Sequence, residues 1–379
     1  PSKAFRTVSK AASKAVAGHT VIIGGGTYAE DVTVSRSGTS SQNILFKNDD
    51  GNQTGDGGNV LIRSMKLTSA DYIRLSGLKF APGNGGTGVA LSYAKNSLLE
   101  NCESSGGKYG MTMVQSSATL SGCKIHDTTH EGIELDGSKT VTLSAGCEIY
   151  DCGKNGISLK GGQSALAIND STLRNNGDSG LKADDNTDTS VVLVERSKFL
   201  NNGDCGAQVK GCYLYLTNCL VAFNAEEGVE AKEKGSLAVR HCTVVYNGDD
   251  GVDRDSSEAT CNISSSILAF NGDNGLDFSD TRLVSHGDNL LFGNRRGNFS
   301  GSSAGSNEIQ ADPKFISSTD FRLRSGSPAI DAVNVAQRDD LTGGSRPLGA
   351  RSDMGCYEGF IDTTRTFYVR TDGDDSRDG

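Results

Sequence analysis

The chain has 379 residues, 49 of them Gly and only 5 Pro, with 37 Lys and Arg against 47 Asp and Glu for a formal net charge of −10. That acidic balance argues against a nucleic-acid groove, which needs a basic face, and suits a surface that binds cations. No apolar run reaches the ~18–20 residues of a spanning helix, so no membrane span is expected.

At the start, Phe5, Val8, Ala12, Ala15 and Val16 fall on one helical face over residues 1–17, and Gly18 stands where a helix C-cap would put it. The spacing predicts a short amphipathic helix that caps the strands after it. No leader segment is evident, and the opening Pro1 suggests a processed or excised chain. Residues 20–23, 28–34 and 43–47 read as the first strands, and the Gly- and Asp-rich stretch 49–59 as a surface loop. Residues 1–70 therefore form an N-terminal cap and the first coils.

From residue 71 the chain repeats itself. Residues 212–234, 235–257 and 258–280 carry the same pattern three times: an alternating apolar strand, a small residue, an apolar pair, Asn, a polar turn, then Gly and another strand. A period in the twenties marks a solenoid, in which each unit buries its apolar face only against its neighbours. One glycine column runs through Gly88, Gly110, Gly132, Gly156, Gly180, Gly206, Gly228, Gly251, Gly275 and Gly297. Asn176, Asn202, Asn224, Asn247 and Asn271 stand four residues before that glycine. Asn tolerates left-handed backbone angles, and stacked amides bond to one another, so a structural ladder at one corner is expected. A second column of small residues runs Cys102, Cys123, Cys147, Ser171, Ser197, Cys219, Cys242 and Ser265. The pattern predicts an all-β, right-handed parallel β-helix of about 12 coils, a rod on the order of 60 Å long. Residues 71–301 hold the repeats, 302–360 the C-terminal coils and cap, and 361–379 a displaced strand.

The ten cysteines lack paired metal-type spacing. Those one coil apart are close enough for disulfides and equally suited to stacked buried thiols, and a Cys205–Cys212 bridge is conceivable.

The repeats resemble those of the pectin-lyase-like superfamily of right-handed parallel β-helix proteins. Residues 312–358 (DPKFISSTDFRLRSGSPAIDA…RPLGARSDMGCYEG) are similar to the terminal segment of bacterial surface β-helix proteins of the choice-of-anchor type. Such proteins open with a YYVSxxGxDSNDG-type strand joined directly to PxKxFxTIxKA. Here residues 1–11 carry the second half, while residues 366–379 (TFYVRTDGDDSRDG) place the first half at the other end. The resemblance leaves three accounts: one period of a tandem protein, a subunit whose terminal strand completes its neighbour, or a circular permutant. The first two imply end-to-end assembly with copies of the same chain through Phe367, Tyr368 and Val369.

Carboxylates gather just after the Asn corner, at Glu226–Glu227, Asp249–Asp250, Asp253, Asp273 and Asp277. Adjacent coils bring them together, and calcium favours such oxygen clusters. The pattern is similar to the calcium site of family 9 pectate lyases, and that resemblance makes Glu227, Asp249, Asp250 and Asp253 the ligands. It also requires a base lysine two residues after a later repeat glycine, where this chain has Asp277 and Phe299. Lys182, two residues after Gly180, is the remaining candidate base. The alternative is a soluble mixed-charge stripe of Glu134, Asp136, Lys160, Lys182, Asp184, Lys210, Glu230, Lys232, Asp253 and Asp255. His126, His130 and Glu131 share one turn and suit either a metal or plain solvation. Asp372, Asp374 and Asp378 offer a second calcium loop at the module junction.

Because the base lysine is missing where the resemblance needs it, the expected function is an extracellular or cell-surface structural module, calcium-stabilised and stacked end to end into a fibre. The alternatives are a lyase or epimerase acting on an acidic polysaccharide, and an adhesin rod.

Overall fold

The structure, a computed structural model, describes residues 4–162, 164–185, 190–256, 258–334 and 338–361. In strand Cys212–Thr217 the alternating Cys212, Leu214 and Leu216 point inward and are buried, while Tyr213 and Tyr215 face out. A strand this short has no independent stability, and its backbone is satisfied only by Ser190–Glu195 on one side and Ser236–Arg240 on the other, both parallel to it. Repeated along the chain, this pairing gives one parallel sheet of 12 strands, from Thr20–Ile23 to Val284–Gly287, with one strand per coil. A 22-stranded sheet carries the other two strands of the coils. The result is a parallel β-solenoid of about 11 turns with almost no helix.

The capping helix is shorter than the sequence suggested, spanning Val8–Ala12 rather than residues 1–17. Thr7 caps it by accepting from the Lys10 N–H, and Glu30 accepts from the N–H groups of Val8 and Ser9, each at 3.0 Å. The chain leaves the helix at Ser13 to carry Ala15 into the core and to feed the first strand. Gly18 is left-handed, at φ +82°, but sits beyond the helix in the turn before Thr20.

Asn176, Asn202, Asn224, Asn247 and Asn271 are buried and joined amide to amide at 2.8–3.0 Å, and Asn294 extends the ladder by one coil. The left-handed backbone falls one residue earlier, at Asn175, Asn201, Phe223, Tyr246 and Phe270. Bulky residues rarely adopt that conformation. Here Tyr246 stacks on Phe223 at 5.6 Å and on Phe270 at 5.0 Å, so the strained turns share an aromatic stack that offsets the cost. The repeat glycine serves close approach: a Cβ on Gly228 would lie 2.6 Å from the Gly251 carbonyl and 2.5 Å from Val244. The column of small residues closes on Ser266 rather than Ser265, since it is the Ser266 hydroxyl that accepts from the Cys242 N–H. All ten cysteines are free, buried thiols.

Past Ile309, which bridges to Leu290, the chain does not continue the axis. It folds back along the outside of the coils, where Phe315, Phe321, Val333, Met354 and Cys356 pack on Leu220, Val245, Ile267 and Leu290. Asn218 donates to the Asp339 carbonyl at 2.7 Å, and the Arg346 guanidinium is buried against Glu358 at 2.9 Å and His241 at 3.3 Å. No helix is long and apolar enough to cross a membrane among the described residues. The segment 362–379, with Phe367, Tyr368, Val369, Asp372, Asp374 and Asp378, lies outside the described residues.

Both the amide ladder and the buried histidine can be tested by unfolding. Asn224→Ala removes the buried acceptor of the Asn202 backbone and side-chain N–H groups and a donor to Asn247, and should lower the unfolding free energy by about 3 kcal/mol, measured by denaturant titration. Burial and then the Arg346 charge depress His241 to about 4, below its unfolded value, so stability is present above pH 6.5 and is lost as pH falls toward 4. His241→Gln should flatten that acid limb in thermal melts.

Candidate functional site

Three columns of polar residues run side by side along one face, one residue per coil. The first is in the turns. Backbone N–H groups link His130 to Lys108, Lys154 to His130 and Asp178 to Lys154, then Glu226 to Asp204, Asp249 to Glu226, Asp273 to Asp249 and Arg296 to Asp273. The second is Glu131, Asn155, Ser179, Cys205, Glu227, Asp250 and Asn274, held because from Asn155 onward each carbonyl accepts from the repeat glycine one coil before it. The third lies on the strand and pairs in register: Glu134, Ser158, Lys182, Gln208, Glu230, Asp253 and Asp277. Apolar residues such as Val229 and Ala231 flank Glu230 on the inward side, so alternation along the strand turns the polar residue outward.

The four expected ligands do not form one set. Glu227 and Asp253 meet Glu230, and Asp249 and Asp250 meet Asp273, with the ligand atoms of each trio within 4.8 Å of one another. Glu230 joins the first trio because its strand register places it beside Asp253, a relation the spacing of the acidic pairs alone does not reveal. It is only 3% exposed. Gln208 donates to its Oε2 at 2.5 Å, Lys232 bonds its Oε1 at 2.8 Å, and the buried Cys205 thiol lies 3.1 Å from Glu227 and 3.4 Å from Glu230.

Crowding these carboxylates in a sheltered trough disfavours their charge. Burial, then Glu230 and Glu227, pushes Asp253 up to about 8. Burial lifts Asp250 to about 6 against the N–H that Asn274 donates at 2.6 Å, and the bond to Asp204 lifts Glu226 to about 7. Glu227 and Asp249 are raised too, burial first in both, and burial with the nearby carboxylates drives the Cys205 thiol upward. Such a cluster calls for protons or a hard cation. The 4.8 Å span of the Glu227–Glu230–Asp253 oxygens is one that calcium, bonding oxygen at about 2.3–2.6 Å, can bridge.

Lys160 pairs with Glu134, Lys210 with Glu233 and Lys232 with Glu230, whereas Lys182 makes no ion pair among the described residues. Asp277 occupies the strand position beside Asp253 where the resemblance looked for a lysine. His126 belongs to another face. It stacks on Tyr150 at 4.7 Å, bonds Asp127 at 2.7 Å, and joins none of these trios.

With this geometry established, residues 22–190 and 156–312 match the family model described as a right handed beta helix region. The chain belongs to the right-handed β-helix family. Its fold is the pectin-lyase-like one. Pectate lyase Pel9A matches at 13% identity with TM-score 0.55, covering 93% of this chain and 90% of that one. XylC, solved in complex with xylose, matches at 10% identity with TM-score 0.61 over 94% and 96% of the two chains. The A-module of mannuronan C-5 epimerase AlgE6 from Azotobacter vinelandii matches at 16% identity with TM-score 0.53, over 80% and 93%. A curated relative, the uncharacterized protein YwoF of Bacillus subtilis (strain 168), is 40% identical over 70 residues, which is 18% of this chain and 14% of YwoF.

These likenesses overturn the expectation of a fibre-forming structural module. β-Helices that match most of this chain are named as a lyase and an epimerase. Among the described residues, Phe315, Phe321, Val333, Met354 and Cys356 pack back along the coils instead of extending their axis.

Removing one crowded charge should help the fold. Asp253→Asn is expected to raise the unfolding free energy by roughly 1 kcal/mol in chelator at pH 8, and to lose that advantage when calcium is added, as read by thermal melts.

Proposed function

We propose that this β-helix is an extracellular or cell-surface enzyme that acts on a uronic-acid polysaccharide as a lyase or C5 epimerase, with calcium as its cofactor. The observation that carries the reading is one strand column, Lys182–Gln208–Glu230–Asp253, which sets a lysine that makes no ion pair among the described residues in register with the Glu227–Glu230–Asp253 trio. The likeness in fold to Pel9A and to the AlgE6 A-module supports it. A polymer of this kind stays outside the cell, hence the location.

Glu227, Glu230 and Asp253 would hold the ion, which supplies charge neutralisation for the substrate's carboxylate and so acidifies the C5 hydrogen. Gln208 and Lys232 fix Glu230 from both of its oxygens, so the trough keeps its shape as charge builds. Lys182 stands two rungs from Glu230, ~10 Å along the axis, a gap that an extended lysine and one sugar ring span. Its Nζ takes the C5 proton. In the lyase course the electron pair forms the C4–C5 double bond as the C4–O4 bond breaks, and O4 leaves with a proton from water. In the epimerase course a proton returns to the opposite face of C5. The base thus comes from the N-terminal side of the ion rather than from position 277.

Incubation with polygalacturonate and with alginate tests this. The expected result is growth of the unsaturated-product absorbance, or inversion at C5 by proton NMR, that needs calcium and stops with chelator. Lys182→Ala should lower the rate at least ~100-fold while leaving the melting temperature unchanged. Neither product on either polymer would refute the reading.

A further inference from the structure

The outer surface of the 12-stranded sheet serves neither the acidic trough nor the C-terminal flank. The trough strand Ala207–Lys210 passes into Cys212–Thr217 through a corner at Gly211, left-handed at φ +61°, so the two strands lie on different sides of the coil. The C-terminal segment meets this sheet at its far edge, where Asp339 bonds Asn218 and Arg196. Register aligns the outward residues of the sheet in rows. One row reads Thr142, Ala167, Leu193, Tyr215, Ala238 and Asn262. Beside it run Ala165, Val191, Tyr213 and Ser236. Neither row carries a charge, over ~24 Å of the axis, although the chain holds 37 Lys and Arg and 47 Asp and Glu. At the centre Leu193, Tyr213 and Tyr215 are 50%, 41% and 44% exposed. Pairing does not demand them, since other coils hold Thr142, Ala167 and Ser236 in the same rows. An apolar patch kept in water and rimmed by polar residues marks a binding surface.

Chemistry narrows the occupant. A charged polymer finds no counter-charge in either row, and the nearest outward charges, Glu195 and Arg240, stand one row further out and oppose each other in sign. A second copy of the chain needs about 20–30 residues a side for a stable contact, and three large side chains fall well short. An uncharged sugar chain fits. Its rings offer flat C–H faces to the tyrosine rings, and its hydroxyls meet the polar groups of Thr142, Ser236 and Asn262 around them.

We propose that Leu193, Tyr213 and Tyr215 form a docking face for the surface of an uncharged polysaccharide, separate from the trough. Tyr213 and Tyr215 lie two residues apart on one strand, ~7 Å, so each meets its own sugar ring. The rod then rests side-on against the solid, with the trough open on another side of the coil. The inference does not depend on what the trough does.

Retention on solids tests it. Wild-type protein is mixed with microcrystalline cellulose or with chitin, and the protein left in solution is measured as its concentration rises. Retention on at least one solid is expected, unchanged by chelator and by about 1 M sodium chloride. Tyr213→Ala combined with Tyr215→Ala should weaken it about tenfold or more, while Tyr215→Phe, which keeps the ring, should stay within about twofold of wild type. Both tyrosines are exposed, so the fold survives, which the melting temperature checks. Lys182→Ala should be retained like wild type. No retention on either solid, equal retention of the double alanine variant, or release by salt would each overturn the docking face. So would a wild-type dimer in sedimentation that the double variant breaks, which would make the face a self-contact. No turnover is read, so failure here leaves the enzyme reading standing, and failure of that reading leaves retention unchanged.

Discussion

Each coil of this chain can satisfy its backbone only through the coils beside it. The strands are two to six residues long in the repeats and would not persist alone, so parallel pairing to the next coil is the interaction on which the rest depends. That pairing fixes register, and register forces equivalent positions to stack at ~4.8 Å. Whatever a residue is, it lives with its counterparts on either side along the axis.

The consequences differ with chemistry. Amides gain from stacking, because each donates to one neighbour and accepts from the other, and the ladder from Asn176 to Asn294 does this without a charge. Rings gain as well, and Phe223, Tyr246 and Phe270 pack well enough to sustain left-handed turns. Carboxylates lose. Glu227, Glu230 and Asp253 are pressed together by the same register, and Asp253 rises to about 8 in consequence. A fold that holds such a cluster accepts local instability, which is characteristic of sites kept for binding or chemistry rather than for stability.

The C-terminal chain has the complementary task. Past the last rungs it folds back over Leu220, Val245, Ile267 and Leu290 and covers the flank of successive coils. Its buried Arg346 is held by Glu358 and by the carbonyls of Asp353 and Gly355, which lets a largely irregular segment pack as an ordered flank.

Periodicity made the coil architecture legible, because an apolar face every second residue and a glycine every 22 to 26 residues have few other physical solutions. The Asn corner was legible for the same reason, as was the crowding of acidic residues on one side. Boundaries and partnerships were not. The helix shrank to Val8–Ala12 because caps at Thr7 and Glu30 lie partly outside its own sequence. Arg254 sits in a run of charges yet points inward, buried against the carbonyls of Ala259, Asp280 and Arg282, because strand alternation puts it in line with Ala231. The sequence by itself determined the repeat, and with it the solenoid and the face on which charge accumulates. Only the tertiary structure decided that Glu230 rather than Asp249 completes the trio with Glu227 and Asp253, and that Lys182 shares its register. Which residues of neighbouring coils become partners depends on how many residues each turn spends at the corner, and that count is settled by packing rather than by spacing along the chain.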